Sequence, residues 1–184
     1  MSEHAIDLLE TWWAIGEAGW YAQSDETDAM LKNRFGSLVE DARAGKLEAW
    51  KEAPHTALAL MLLLDQLPRN IYRGTPEAFT SDHQAVELAN HARAKRFDLA
   101  YHGAARGFFY MPYMHCEEIE TQNTCCDIFR AMSNSSGNQD MYYYALVHMD
   151  AIRRFGRFPH RNAMLGRATT AEEQAYMDSG GFSA

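Results

Sequence analysis

The sequence predicts an all-α fold, and three observations carry that reading. Alanine, leucine, methionine and glutamate are abundant while valine and isoleucine are scarce, a balance that favours helix over strand. Apolar residues recur at three- and four-residue spacing, and Pro and Gly fall where helices start and stop. No five-residue stretch alternates apolar and polar side chains with β-branched content, so no strand is expected. The 184 residues read as a single helical domain, 1–184, an antiparallel array of about seven or eight helices.

The elements follow in order. Residues 3–15 carry Ile6, Leu9 and Trp13 at helical spacing and stop at Gly16. Residues 25–44 repeat Met30, Leu31, Phe35, Leu38 and Ala42, with Gly45 placed to end the helix. Pro54 opens a helix that is apolar nearly all round from Ala57 to Leu64 and breaks at Pro68, which makes it central to the core. Thr75-Pro76 starts a short helical turn, and Ser81 with Gln84 reads as a capping box for 82–95. A further helix begins at Pro112 or Cys116 and runs to about residue 132. Residues 133–139, SNSSGNQ, read as a flexible loop. Residues 140–155 end at Gly156, a short helix spans 159–165, and Thr170 with Glu173 caps a last helix that stops at Gly180-Gly181.

Composition bounds the function. Hydrophobic residues make up 47% and charged residues 23%, an ordinary globular balance. A net charge of -8 argues against nucleic acid, whose phosphates call for clustered Lys and Arg. The longest apolar stretch, Ala57 to Leu64, is too short to span a membrane, and the first residues have no signal-peptide pattern. The cytosol is therefore the expected compartment. Cys116, Cys125 and Cys126 form no disulfide framework and no zinc spacing. On a helix over 122–132, Gln122, Cys125, Cys126 and Phe129 share one side, which predicts buried free thiols.

Three segments are more polar than helix connections require. In LLDQLPRNIYRG (63–74), Asp65 follows Leu58 and Leu62 on one helix face, so its carboxylate needs a buried partner, and Arg69 and Arg73 lie just downstream. In GFFYMPYMHCEE (107–118), the aromatics and methionines read as core, whereas His115, Glu117 and Glu118 fall where a helix start leaves N–H groups free. In HMDAIRRFGRFPHRNAMLGR (148–167), His148 faces the apolar side with Met141, Tyr144, Ala145, Ile152 and Phe155, and Asp150 and Arg154 are an i,i+4 pair. Pro159 then sets His160, Arg161 and Asn162 in a first helical turn close behind Arg157, a natural carboxylate or phosphate site.

These motifs, closed by TTAEE (169–173) and GGF (180–182), resemble the bacterial domain-of-unknown-function family 924 over nearly the whole chain, from Trp12-Trp13 to Gly181-Phe182. The residues that match are Asp65, Gln66, Pro68, Arg69, Asn70, Tyr72, Arg73, His115, Glu117, His148, Asp150, Arg154, Gly156, Arg157, Pro159, His160, Arg161, Asn162 and Arg167. Cys116 departs from the pattern, standing where a serine cap is expected. The resemblance implies a tetratricopeptide-like all-α superhelical fold and no particular activity.

Two function classes follow. The first is a helical interaction module in which a buried Arg/Asp/His network pins irregular turns. The alternative is a hydrolase-like enzyme or a binding protein for a small anionic phosphate or carboxylate. There Arg69, Asn70, Arg73, Arg157, Arg161 and Asn162 would hold the ligand, and Asp65, His115, His148 or His160 would act as general acid–base. A metal centre would need three of His115, Glu117, Glu118, His148, Asp150 and His160 to converge, and no metal or cofactor is expected. The expected partners are a small anion or a peptide, with no nucleic acid and no membrane.

Overall fold

Wherever the sequence repeats apolar residues at helical spacing, the chain coils into helix. The structure is a computed structural model that describes residues 2–182, and among the described residues there is no strand. Among the described residues seven helical stretches reach eight residues or more, counting 54–71 as one. The chain forms two compact units, residues 1–109 and 110–184, which meet inside the aromatic run 108–110 without any change of composition.

In the first unit, helix α1 (Glu3–Trp20) breaks at Gly16 as expected, into two helical pieces joined at a kink where the φ of 75° is one that only glycine adopts readily. The kink folds Trp20 back to within 6.0 Å of the Trp12 ring, and the Trp20 indole N–H donates to the Trp12 carbonyl at 2.7 Å. Phe108 closes this cluster edge-on to both rings. Helix α2 (Asp25–Arg43) starts at Ser24, whose hydroxyl accepts from the Thr27 N–H, and buries Leu31, Phe35, Val39 and Ala42. A 3-10 turn (Glu48–Glu52) leads to α3 (Pro54–Met61), in which Thr56 through Met61 are all buried.

The expected break at Pro68 does not occur. The chain widens into a π turn over Leu62–Gln66 and continues as α4 (Leu67–Ile71). A wider turn clears the proline ring without stopping the helix. Pro68 has no N–H to offer the Leu64 carbonyl, and the Ser81 hydroxyl donates to that carbonyl at 2.7 Å. This use of Ser81 displaces the capping box expected for the next helix. Helix α5 (Asp82–Ala94) has no side-chain cap, and Gln84 donates instead to the Arg43 carbonyl. Short 3-10 turns at Pro76–Phe79 and Phe97–Ala100 and the helix α6 (Gly103–Gly107) complete this unit.

The second unit begins with α7 (Met111–His115), all five residues of which are buried. The single helix expected from Pro112 or Cys116 is in fact two. Residues 116–118 are non-helical, and α8 (Ile119–Ser136) follows. Gln122, fully buried on α8, donates to the Met114 and Cys116 carbonyls at 2.7 Å each and so ties off the end of α7. Cys125, Cys126 and Phe129 lie buried on the same side, as the spacing predicts. The expected loop 133–139 is mostly helix: α8 runs on through Ser136 until Gly137, at φ 78°, reverses the chain. Helix α9 (Asp140–Phe155) packs back along α8.

On α9, Ala145, His148, Ala151 and Ile152 are buried as expected, whereas Tyr144 is half exposed and stacks edge-on with Tyr143. Gly156 ends α9 at φ 67°. The helix expected over 159–165 shrinks to a 3-10 turn, Pro159–Arg161. Helix α10 (Ala171–Asp178) carries the capping box read from Thr170 and Glu173.

Two substitutions test the proline bypass. Ser81→Ala leaves the buried Leu64 carbonyl unpaired and should lower unfolding free energy by about 1–3 kcal/mol in urea titration. Arg69→Ala strips a guanidinium from the fully buried Asp65 and should cost about 3–5 kcal/mol in the same assay.

Candidate functional site

The first polar segment lies within the first unit, where the chain's own carboxylates meet its arginines. Arg69 reaches from α4 to Asp82 at 3.0 Å and to the Asp65 carboxylate at 3.3 Å, and it donates to the Asp65 carbonyl at 2.6 Å. Burial works against the Arg69 charge, yet Asp82 and Asp65 outweigh it and raise its pKa. Asp65 also accepts from the Gln66 amide. One turn on, Arg73 holds Asp28 of α2 through Nε at 2.8 Å and Nη2 at 3.2 Å, and Asn70 donates to the same carboxylate at 2.9 Å. The three candidates Arg69, Asn70 and Arg73 thus clamp α4 to α2 and α5.

The second and third segments come together in the second unit. The Phe158 N–H, at the turn where an anion was expected, donates to Glu117 Oε1 at 2.8 Å. Arg167 grips the same carboxylate with both terminal nitrogens at 2.7 and 2.9 Å. Burial would raise the Glu117 pKa, but these bonds and the Arg167 and Arg161 charges lower it. A second carboxylate, Glu173, is 2% exposed and takes both Arg157 Nε at 2.6 Å and Nη2 at 2.9 Å. The Thr170 N–H and the buried Asn162 amide donate to it as well. The Arg157 bond is the main reason its pKa falls to about 2. The short 3-10 turn therefore serves as a carboxylate receptor, and the carboxylates it receives are Glu117 and Glu173.

Beside these pairs the three candidate histidines gather. His115 closes α7 and His148 sits mid-way along α9, with ring centroids 6.2 Å apart. His148 Nδ1 donates to the Tyr144 carbonyl at 2.7 Å, so that nitrogen carries the proton. Phe182, beyond α10, lies 3.9 Å from the His148 ring and 5.0 Å from His160. Arg161 stacks over Phe158 with its guanidinium carbon 4.6 Å from the ring centre. Burial lowers the His148 pKa to about 3, with His115, Arg161 and His160 adding to the effect. Burial and Arg161 lower His160 to about 4. Among the described residues no three His, Cys, Asp or Glu side chains are placed to hold a metal ion. Asp150 and Arg154 form their pair at 3.5 Å on the exposed side of α9.

Two partners were not singled out by sequence reasoning, Asp28 and Asp82. Nothing local marks the two aspartates, because each is recruited from a separate helix. Glu173 was legible only as a cap, although its capping-box position already fixed its carboxylate beside a helix start.

The His148 shift sets a pH dependence. In the unfolded chain this imidazole protonates near 6.5, and in the fold only near 3. The unfolded state binds the proton first, so stability is fully present above pH 6.5 and is lost as pH falls towards 3. By pH 5 the loss from this one group is about 2 kcal/mol. Melting temperature should fall across that window, and His148→Leu should flatten the slope.

The comparisons with known proteins bear on the whole chain. The solved structure of ATU0120, a protein of unknown function from Agrobacterium tumefaciens, superposes with a TM-score of 0.89 at 37% identity, covering 96% of this chain and 97% of that one. No protein with a curated description is significantly similar. The model of the family described as bacterial protein of unknown function, DUF924, matches residues 8–181, which include every polar segment described above. The chain belongs to the DUF924 family.

Proposed function

We propose that this chain is a tetratricopeptide-like helical interaction module whose arginine-rich segments are internal latches, and that its partner is a peptide segment of another protein. The observation that carries this reading is that Arg69, Arg73, Arg157 and Arg167 each hold a carboxylate of the same unit. Guanidiniums committed in this way fix irregular turns and are poorly placed to clamp a substrate. The hairpin of α8 and α9, joined by three residues, is the kind of unit from which tetratricopeptide-like arrays are assembled. Tyr143 and Tyr144 on its outer side are side chains that protein interfaces favour. No helix among the described residues is long and apolar enough to cross a membrane, which fits the cytosol as the place of action.

The histidine cluster keeps the alternative, a site for a small anion, in view. It is favoured by one specific feature, the gathering of His115, His148, His160 and Arg161 in a single buried group.

The two readings of the arginines separate in a variant series. Latches at Arg73 and Arg157 require that Arg73→Gln and Arg157→Gln each lower the melting temperature by several degrees, with no ligand added. Unchanged melting in both variants would mean that these side chains are held in reserve for a ligand, and the latch reading would fail.

A further inference from the structure

The outer side of α1 carries a pattern that the packing of the first unit does not use. Ala5, Leu8 and Trp12 fill its buried face, and Glu3, Ile6, Glu10 and Trp13 follow at helical spacing on the opposite one. Ile6 and Trp13 are each 36% exposed. Carboxylates and large apolar side chains therefore alternate along about 15 Å of helix surface. Past the kink at Gly16 the stripe runs into an aromatic corner. Trp13 and Trp20 stand 5.4 Å apart at 71°, and Trp20 and Tyr21 stand 6.4 Å apart at 89°. Rings set nearly at right angles form walls, against which one cation can meet more than one π face. Tyr21 is well exposed, and so is Glu17, which lies between the two tryptophans in sequence.

Trp12 adds an independent observation. It is buried, with its ring parallel to that of Trp20, and its indole N–H has no hydrogen-bond partner among the described residues. A buried indole N–H ordinarily finds an acceptor. Trp20, half-buried over it, is held by the bond from its own N–H to the Trp12 carbonyl. A backbone carbonyl arriving with a docked segment, with Trp20 turned aside, is the acceptor that Trp12 lacks.

Charge decides what can dock here. Residues 1–31 contain seven Asp and Glu and no Lys or Arg, so nearly all of the net charge of -8 belongs to this part of the chain. Arg34 meets Asp7 and Arg73 meets Asp28, whereas no ion pair forms at Glu10 or Glu17 among the described residues. Nucleic acid, an anionic lipid surface and the same face of a second copy all carry the sign that this face repels. A segment that sets Lys or Arg between apolar residues has the complementary sign and the complementary spacing.

We infer that the outer stripe of α1, from Ile6 to the Trp13–Trp20 corner, is a docking surface for a basic amphipathic peptide segment. Its Lys or Arg side chains lie against Glu10 and Glu17 and over the indole faces, and its apolar residues cover Ile6 and Trp13. This rests on the reading of the chain as a peptide-binding module, and it names the face used and the charge of the partner.

The experiment titrates three synthetic helical peptides of about four turns into the whole protein, with the Trp13 and Trp20 indole N–H resonances followed by NMR. The peptides share their leucines and alanines and carry Lys, Gln or Glu at the remaining positions. The Lys peptide should move both resonances and bind the tightest, the Glu peptide should move neither, and added salt should weaken the Lys peptide. Glu10→Lys with Glu17→Lys, both at exposed positions, should weaken the Lys peptide by about tenfold or more. Glu10→Gln with Glu17→Gln should give a smaller loss in the same direction should the double reversal not fold. No movement of either resonance with the Lys peptide, or equal binding of all three peptides, overturns the surface. Binding that persists in the glutamate variants and is lost in Tyr143→Ala overturns it too, and leaves the peptide-binding module standing on the α8–α9 hairpin. The melting of Arg73→Gln and Arg157→Gln, which involves no peptide, decides the latch reading separately.

Discussion

A carboxylate that is 2% exposed has to find its counter-charge inside the chain, and Glu173 finds it in Arg157. The cost of leaving such a group unpaired is several kcal/mol, larger than the gain from any single apolar contact nearby. The turn from Gly156 to Thr170 is therefore organised around it. Arg157 reaches it from one end, the Thr170 N–H from the other, and the Asn162 amide from the middle. With those three points fixed, Phe158 is driven into the apolar cluster of Ala151, Ile152 and Tyr176. Arg161 then lies on the Phe158 ring, and Arg167 turns towards Glu117.

The first unit meets the same constraint with different residues. Asp65 is fully buried because the helix that carries it is apolar on nearly every side. Its charge is met by Arg69, one turn on and past a proline that would ordinarily stop the helix. The π turn keeps Arg69 within reach, and Ser81 repairs the carbonyl that the proline leaves bare. Removing the charge and removing the proline bypass are thus two ways of breaking one device. The outer members, Asp82 and Asp28, link that device to α5 and α2.

Much of this was legible in the residues. Helix positions followed from apolar spacing and from Gly and Pro, the burial of Asp65 followed from Leu58 and Leu62 on its face, and that of His148 from Ala145 and Ile152 on its stripe. The Thr170–Glu173 cap was read directly. The errors have physical causes. Ser81 had two acceptable uses, and the unpaired Leu64 carbonyl, which no local pattern reveals, won it. The polar run 133–136 stayed helical because its Ser133 is buried against the unit while the glycine that ends the helix lies four residues on. The turn at Pro159 was read as open to an anion because Glu117 lies 41 residues away in sequence from the N–H it occupies. Which carboxylate meets which arginine is a tertiary fact, and the residue types alone leave it open.

The most direct test of this account is the titration of the Glu173 side chain, followed through its carboxyl carbon by NMR. Held by Arg157, the Thr170 N–H and Asn162, the carboxyl should keep its charge down to a midpoint of about 2. A midpoint near the ordinary value of 4.5 would mean that the carboxylate is not held by those donors, and the ion-pair framework described for the second unit would be wrong.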